Sequence, residues 1–233
     1  MLERAFTSEA VREALEILRY EFPLALWETV YVTLLSTAFS IVLGLPLGVL
    51  LAVGRRDGIL PLPGWLRQGL NLLINLLRSV PFLILMVLLI PLTLAIVGTP
   101  LGTVASIVPL VIAAFPFVAR LVESSLRELN PSILEAAQSM GASPLQIIWK
   151  VMLPESVPSL LSNGTIAITT ILGYSAMSGI IGGGGLGKIA INYGYHRYQY
   201  LVMLLAVALL ILLVQIFQAL GTRLVARLDR RLK

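Results

Sequence analysis

Cysteine is absent from the 233 residues, which excludes disulfides, thiol nucleophiles and cysteine-held metals. A single histidine, His196, excludes a cluster of histidine ligands. Charge is scarce: 12% of residues are Asp, Glu, Lys or Arg, against roughly 25% in ordinary soluble domains. It is missing altogether from residues 29–54, 79–119, 156–187 and 198–222. What fills those stretches is apolar; 58% of the chain is hydrophobic and its mean hydropathy is +0.92. A helix crosses a bilayer with about 20 apolar residues. The longest uncharged stretch therefore holds two crossings, broken at Gly98-Thr99-Pro100-Leu101-Gly102-Thr103, a turn-rich string. The expectation is an all-α membrane protein with five spans near 29–53, 76–97, 102–120, 159–180 and 199–221. Residues 1–28 carry six glutamates and no apolar core region, unlike a cleaved signal.

Five spans place the two termini on opposite sides. With the N-terminus outside, the cytoplasmic pieces 54–78, 120–155 and 222–233 hold twelve of the 17 Lys and Arg residues. Cytoplasmic loops carry the basic excess, so the orientation expected is N-out, C-in. The net charge of +5 then reflects insertion and anionic headgroups, and no nucleic-acid partner is expected. The N-terminal arm, 1–26, reads as an amphipathic helix capped by Ser8 with Glu9 in its first turn. Val11, Ala14, Leu15 and Leu18 form its apolar face, which lies along the outer membrane surface or packs on the spans. Residues 27–222 form the membrane domain and 223–233 a basic cytoplasmic tail.

The longest polar interruption is punctuated. Asn130-Pro131 supplies a cap and a proline at the first helical position, which predicts a helix over 132–140. Gly141 stands where a left-handed C-terminal residue is wanted. Ser143-Pro144 opens a second helix, expected to end before Pro154. Ile133, Ala136, Ala137 and Met140 share one face of the first helix, small in the middle, with Glu135 beside it. This suits a knob for a partner's groove and equally a solvated interfacial loop.

Glu135-Ala136-Ala137, Gly141, Leu153 and Pro154 keep a spacing over twenty residues that resembles the signature loop of bacterial ABC importer permeases. Val151 stands where that family usually has isoleucine. Tyr174-Ser175-Ala176-Met177, the glycine-rich 182–187 and Tyr193-Gly194-Tyr195 are similar to the methionine ABC transporter permeases. So are Arg78-Ser79-Val80-Pro81-Phe82 and Pro116-Phe117-Val118-Ala119-Arg120. The resemblance runs from about Trp27 to the C-terminus. It implies a type I ABC importer permease fold with a cytoplasmic coupling helix. It further implies two permease copies, two cytoplasmic ABC ATPase subunits and an external methionine-binding protein, with the chain in the bacterial inner membrane. Glu135, Ala136, Ala137, Met140, Gly141, Leu153 and Pro154 would then couple to the ATPase. No cofactor is expected in this chain, ATP and Mg being held by the partner, and no enzyme activity of its own.

Other signals are weaker. Residues 182–188 read G-x-x-x-x-G-K, but Ile189 replaces the Ser or Thr that would hold magnesium. The glycines make either a plain turn or a flexible outer loop near the entrance. His196 sits among tyrosines suited to an interfacial belt. Gly173-Tyr174-Ser175-Ala176 lacks the following glycine of a membrane serine protease. Arg78 either snorkels to the interface or lines the inner end of a pathway. Pro81, Pro91, Pro109 and Pro116 would kink spans 2 and 3. Span 4 is rich in Ser, Thr and Asn, which either glue helices together or line a polar route. Similarity to the methionine permeases places a gate at its outer end, with Tyr174, Ser175, Met177 and Ser178 as candidate pathway residues. A permease for another small amino acid or polar solute would share the loop and differ along the pathway. A membrane enzyme would need a catalytic constellation that the sequence does not display, and a passive channel has no use for a docking loop.

Overall fold

The computed structural model of the protein describes residues 8–228, with side chains from Val11 onward. The expected Ser8 cap and Glu9, and the basic tail residues Arg230, Arg231 and Lys233, lie outside the described side chains. Among the described residues the chain is helical, with no strand. The helices are α1 (Ser8–Tyr20), α2 (Phe22–Val53), α3 (Gly64–Ser79), α4 (Phe82–Leu88), α5 (Ile90–Val97) and α6 (Ile107–Arg127). They continue as α7 (Pro131–Ser139), α8 (Pro144–Ile147), α9 (Leu153–Glu155), α10 (Val157–Ser178), α11 (Gly185–Ile189) and α12 (Tyr200–Leu228).

Among the described residues, helices α2, α6, α10 and α12 are long and apolar enough to cross a membrane, four in all, or up to five if the sharply bent pair α3 and α4 is one span. The second expected span, 76–97, needs correction. Residues 76–79 close α3, Pro81 caps α4, and Leu89 separates α4 from α5. The residue before a proline is driven from the helical region, and Val80 is accordingly extended, with φ −79° and ψ 125°. Arg78 is exposed in the last turn of α3. Of the four prolines expected to kink spans, only Pro116 lies in a helix interior, Pro109 falling in the first turn of α6. Pro81 and Pro91 stand at helix starts, where the missing N–H costs nothing.

The contacts sort into two compact units, Met1–Ala38 with Pro81–Ile112 and Ile168–Phe217, and Phe39–Val80 with Ala113–Ala167 and Gln218–Lys233. In the first unit, Ala14 of α1 is buried with Phe22 and Ala25 of α2, Leu172 of α10, Leu186 and Ile189 of α11, and Val202 and Ala206 of α12. Ile17 and Leu18 pack against the same cluster, whereas Val11 and Leu15 stay exposed. The N-terminal arm thus packs on helices of its own unit, and the expected boundary at 26/27 falls within α2.

In the second unit, α2 meets α6 across Gly44 and Gly48. A Cβ at Gly48 would lie 2.5 Å from the Ala119 carbonyl oxygen, the small-residue contact that lets two helix backbones approach. Helix α3 rests Ile74 on Leu51 and Ala119. Arg120 then ties it down, its guanidinium donating to Asn71 Oδ1 at 2.7 Å, to Asn75 Oδ1 at 3.2 Å and to Glu123 Oε2 at 2.7 Å. The α3 side chains turned away from this contact, Trp65, Leu72, Leu73 and Leu76, are exposed and apolar.

Candidate functional site

The punctuated loop folds as its local chemistry dictates. Asn130 accepts the backbone N–H of Ser132 at 3.0 Å and Pro131 opens α7. At the other end Gly141 takes φ +78°. Its N–H donates to the Gln138 carbonyl at 2.9 Å, and that of Ala142 to the Ala137 carbonyl at 3.1 Å. This is the Schellman pairing, which a left-handed residue makes geometrically accessible. Ser143 and Gln146 then form a reciprocal capping box at the start of α8.

Two expectations about this loop fail. The helical path does not end before Pro154. It widens into a π-helix over Ile148–Met152, and Pro154 sits in the first turn of α9. A proline lacks its own N–H and crowds the carbonyl four residues back; the wider turn meets it just before that point, with the Leu153 N–H reaching the Ile148 carbonyl. Second, the supposed docking face of α7 is split. Ala137 is only 4% exposed and packs with Val118, Val122, Leu126, Ile147, Ile148 and Met152 in the core of the second unit. Ala136, Glu135 and Gly141 are exposed, and Met140 is 82% exposed. Leu145 and Trp149, not singled out in the sequence, are exposed apolar side chains of the same loop. Leu153 is half-buried against the core. The loop is therefore anchored by Ala137, Ile147 and Ile148 and presents Met140, Leu145 and Trp149.

The gate candidates divide likewise. Ser175 and Ser178 are buried, and each hydroxyl returns to its own helix: Ser175 to the Leu172 carbonyl at 2.8 Å, Ser178 to the Ser175 carbonyl at 2.7 Å. Both are buried within their unit, because the helical register that exposes Met177 turns them inward. Met177 is 44% exposed, and Gly173 and Ile180 share its exposure. Tyr174 stacks on Phe82 with ring centroids 4.9 Å apart and planes at 8°. His196 is exposed, edge-on to Tyr195.

The glycine-rich segment is neither a plain turn nor a flexible loop. Residues 183–187 are buried, and α11 is formed by the last three of them with Lys188 and Ile189. A Cβ at Gly187 would lie 2.1 Å from the Ala176 carbonyl oxygen, so only glycine fits there. Glu28, counted in the sequence merely as one of six glutamates, holds this segment. Its Oε2 accepts the Gly185 N–H at 2.7 Å, and its Oε1 accepts the Thr103 hydroxyl at 2.8 Å. Thr29 accepts the Leu186 N–H at 2.9 Å. No local pattern marks Glu28; the one available signal is an acidic residue at the edge of an uncharged span. Nearby, Tyr193 donates to Glu21, and the Arg197 guanidinium lies 4.6 Å from the centre of the Tyr193 ring.

The arrangement contains no catalytic constellation among the described residues, and no group of three or more His, Cys, Asp or Glu that could hold a metal. Comparison with known proteins gives it a family. The chain is 53% identical over 208 residues to a probable D-methionine transport system permease protein MetI of Vibrio cholerae serotype O1, covering 89% of this chain and 92% of that one. It is 46% identical to the corresponding probable permease of Pasteurella multocida, over 88% and 94% of the two chains. Among solved structures, inward-facing conformations of the MetNI methionine ABC transporter (CY5 native crystal form) superpose with a TM-score of 0.89 at 44% identity, over 92% of this chain and 99% of that one. Residues 44–233 match the family described as binding-protein-dependent transport system inner membrane component. The protein belongs to that family of inner-membrane transport components, and its helical fold is that of the type I ABC permeases.

Proposed function

We propose that this chain is the permease subunit of an ATP-driven, binding-protein-dependent importer of methionine, in either hand and with close analogues. The observation that carries the substrate is the 53% identity, over nearly the whole length, to a relative named for D-methionine transport. Two copies would face each other and line the route. Two ATPase subunits would bind ATP and Mg and perform the hydrolysis, and an external methionine-binding protein would deliver the solute. The distribution of Lys and Arg supports five spans with the N-terminus outside. The expected division into an arm (1–26), a membrane domain (27–222) and a basic tail (223–233) is part of this reading.

The loop would dock on the ATPase through Met140, Leu145 and Trp149, with Glu135, Ala136 and Gly141 beside them. Ala137, Ile147 and Leu153 would pass the movement to the body of the unit, because a close-packed core shifts as a body and does not deform smoothly. Pro154 lies where the loop joins α10. Transport would follow alternating access, each state favoured by the ligand it binds better. Closure of the ATPase pair would turn the route outward, and hydrolysis would reset it. Met177 with Gly173, beside Tyr174, would form the outer constriction; Ser175 and Ser178 would hold its helix. Reconstitution with the cognate ATPase and binding protein in proteoliposomes tests the reading. ATP-driven uptake selective for labelled methionine is expected. Uptake of a different solute would discard methionine, and no ATP-driven uptake with the ATPase bound would discard the coupling role.

A further inference from the structure

Helix α3 of the second unit has three distinct sides. Leu70 and Ile74 pack on Leu47, Leu51 and Ala119. At roughly 3.6 residues per turn, Trp65, Leu72, Leu73 and Leu76 fall together on a second side, and all four are exposed. Arg67, Gln68, Asn71, Asn75 and Arg78 make the third, polar side. We propose that α3 lies in the headgroup boundary of the bilayer, its apolar side among the acyl chains, and that Arg56, Arg67 and Arg78 bind the phosphates of anionic phospholipids there.

The course of α3 carries the inference. The Leu62 N–H donates to the Gly54 carbonyl at 3.1 Å, which sets the start of α3 beside the end of α2. From Gly64 to Ile74 the helix advances about 15 Å along its own axis, and Ile74 packs with Leu51. Leu51 lies in the last turn of α2, less than about 5 Å along that axis from Gly54. Helix α3 therefore runs across α2 and does not follow it through the bilayer. The same contacts give its depth. The uncharged runs 29–54 and 79–119 end at Gly54 and Ala119, and Ile74 packs with Leu51 and Ala119, close to both ends. Charges begin where a span leaves the hydrocarbon. Arg120, the first charge past the second run, reaches Asn71 and Asn75. The polar side of α3 thus faces the headgroup level, and the stripe of Trp65, Leu72 and Leu76, roughly opposite on the helix, faces the acyl chains.

Charge identifies the lipid. Residues 54–80 carry Arg55, Arg56, Arg67 and Arg78 against one acid, Asp57, which Arg55 engages at 3.4 Å. Arg56, Arg67 and Arg78 form no ion pair among the described residues. A helix with Trp and Leu on one side and basic residues on the other is the form that lies in a membrane surface. An indole suits the headgroup level, and basic residues there are drawn to anionic lipids. A two-fold contact with a second copy would bring the same arginines together, like charges with no acid between them, so phosphate is the better occupant. The inference depends neither on methionine being the cargo nor on which side of the membrane α3 occupies.

The test uses the full chain assembled with a cysteine-free ATPase partner, in nanodiscs of phosphatidylcholine and phosphatidylglycerol. The chain has no cysteine of its own, so a nitroxide on Leu72→Cys or on Gln68→Cys reports one position. Collision with oxygen, which concentrates in the hydrocarbon, is compared with collision with a water-soluble nickel chelate. Oxygen is expected to dominate at Leu72→Cys and nickel at Gln68→Cys. In parallel, the preference for labelled phosphatidylglycerol over phosphatidylcholine is measured for Arg56→Gln, Arg67→Gln and Arg78→Gln. Each is expected to lower it about fivefold, the worth of one basic residue at an anionic surface, whereas Arg223→Gln, an equal change of net charge outside α3, should leave it nearly unchanged. Nickel dominance at Leu72→Cys would place the apolar side in water and overturn the proposal. So would a label there shielded from both collision partners and dipole-coupled to its twin, which would assign the side to a second copy. A lipid preference indifferent to the three α3 substitutions, or lowered as much by Arg223→Gln, would overturn the phosphate contacts.

Discussion

Glu28 and Gly185 lie 157 positions apart, and the carboxylate of the first accepts the backbone N–H of the second at 2.7 Å. The other carboxylate oxygen accepts the Thr103 hydroxyl. One side chain thus joins the start of α2, the turn before α6 and the buried glycine segment. A Cβ on Gly184 would fall on the Thr103 and Glu28 side chains, so the run 182–185 carries no side chain to hold it before Leu186, and the clamp comes from elsewhere in the chain.

Glu28→Ala is expected to lower the stability of the folded chain by about 2–3 kcal/mol, the loss of hydrogen bonds to a charged group. Glu28→Gln is expected to cost about 1 kcal/mol, because its amide oxygen can still accept from Gly185 while the Thr103 hydroxyl turns to accept from its NH₂. Thermal unfolding of the three proteins in the same lipid measures the order. Equal stability of Glu28→Ala and the parent would remove the clamp.

At Gly141 the backbone, not crowding, sets the cost. A Cβ there meets nothing within 4 Å, while φ is +78°. Gly141→Ala should therefore cost only about 1–2 kcal/mol of backbone strain. Gly141→Trp should insert and assemble but separate ATP hydrolysis from transport, since a large side chain intrudes beside Met140. Uptake and hydrolysis are measured together on the same vesicles; normal coupled uptake by Gly141→Trp would withdraw the coupling assignment.

Met177 and Ser178 are chain neighbours with opposite environments. Met177→Ala should change both uptake and the control of ATP hydrolysis, because it removes an exposed side chain from the proposed constriction. Ser178→Ala should leave uptake unchanged, its hydroxyl being turned into its own helix. A larger transport effect from Ser178→Ala than from Met177→Ala would move the constriction elsewhere.

What could be read in the sequence was local. Asn130-Pro131, Gly141 and Ser143-Pro144 act on neighbours two to four residues away, and each end appears where the caps place it. The apolar runs were legible because a membrane span demands about 20 residues of one character. The failures needed distant partners. Ala137 shares a helix face with exposed residues, yet it is buried in one cluster with Val118, Val122 and Leu126. The glycine run read as loose because its restraint is Glu28, far off in sequence. Pro154 read as a terminus, yet the π-turn over Ile148–Met152 carries the helical path past it. Span 2 was begun too early because α3 is itself leucine-rich and only the break at Val80-Pro81 separates it.

Arg120 is a bridge whose geometry a lysine cannot copy. Its two terminal nitrogens reach Glu123 on one side and Asn71 and Asn75 on the other, whereas an ammonium is a single point charge. Arg120→Lys should cost about 1–2 kcal/mol and loosen α3. Hydrogen exchange in α3 is the direct measurement; unchanged protection there would assign Arg120 to its pair with Glu123 alone.

Tyr193 gives the fold a dependence on alkaline pH. Its phenol is held above its usual value of 10.0, chiefly by donating a hydrogen bond to Glu21, then by partial burial and the Glu21 charge; Arg197 opposes the shift. A group with a raised folded pKa binds its proton more tightly in the fold. Its contribution is therefore complete below about pH 10 and is lost as pH rises through the higher folded value, where a phenolate would face the Glu21 carboxylate. The contact joins α1's C-terminal neighbour Glu21 to the segment before α12, so its loss should free the N-terminal arm. Tyr193→Phe should remove this alkaline step while leaving stability near neutral pH only slightly lower. Tyrosinate absorbance, followed together with unfolding across the alkaline range in both proteins, reads it. An identical alkaline profile in Tyr193→Phe would show that the phenol does not report on the fold and that α1 is held by Ala14, Ile17 and Leu18 alone.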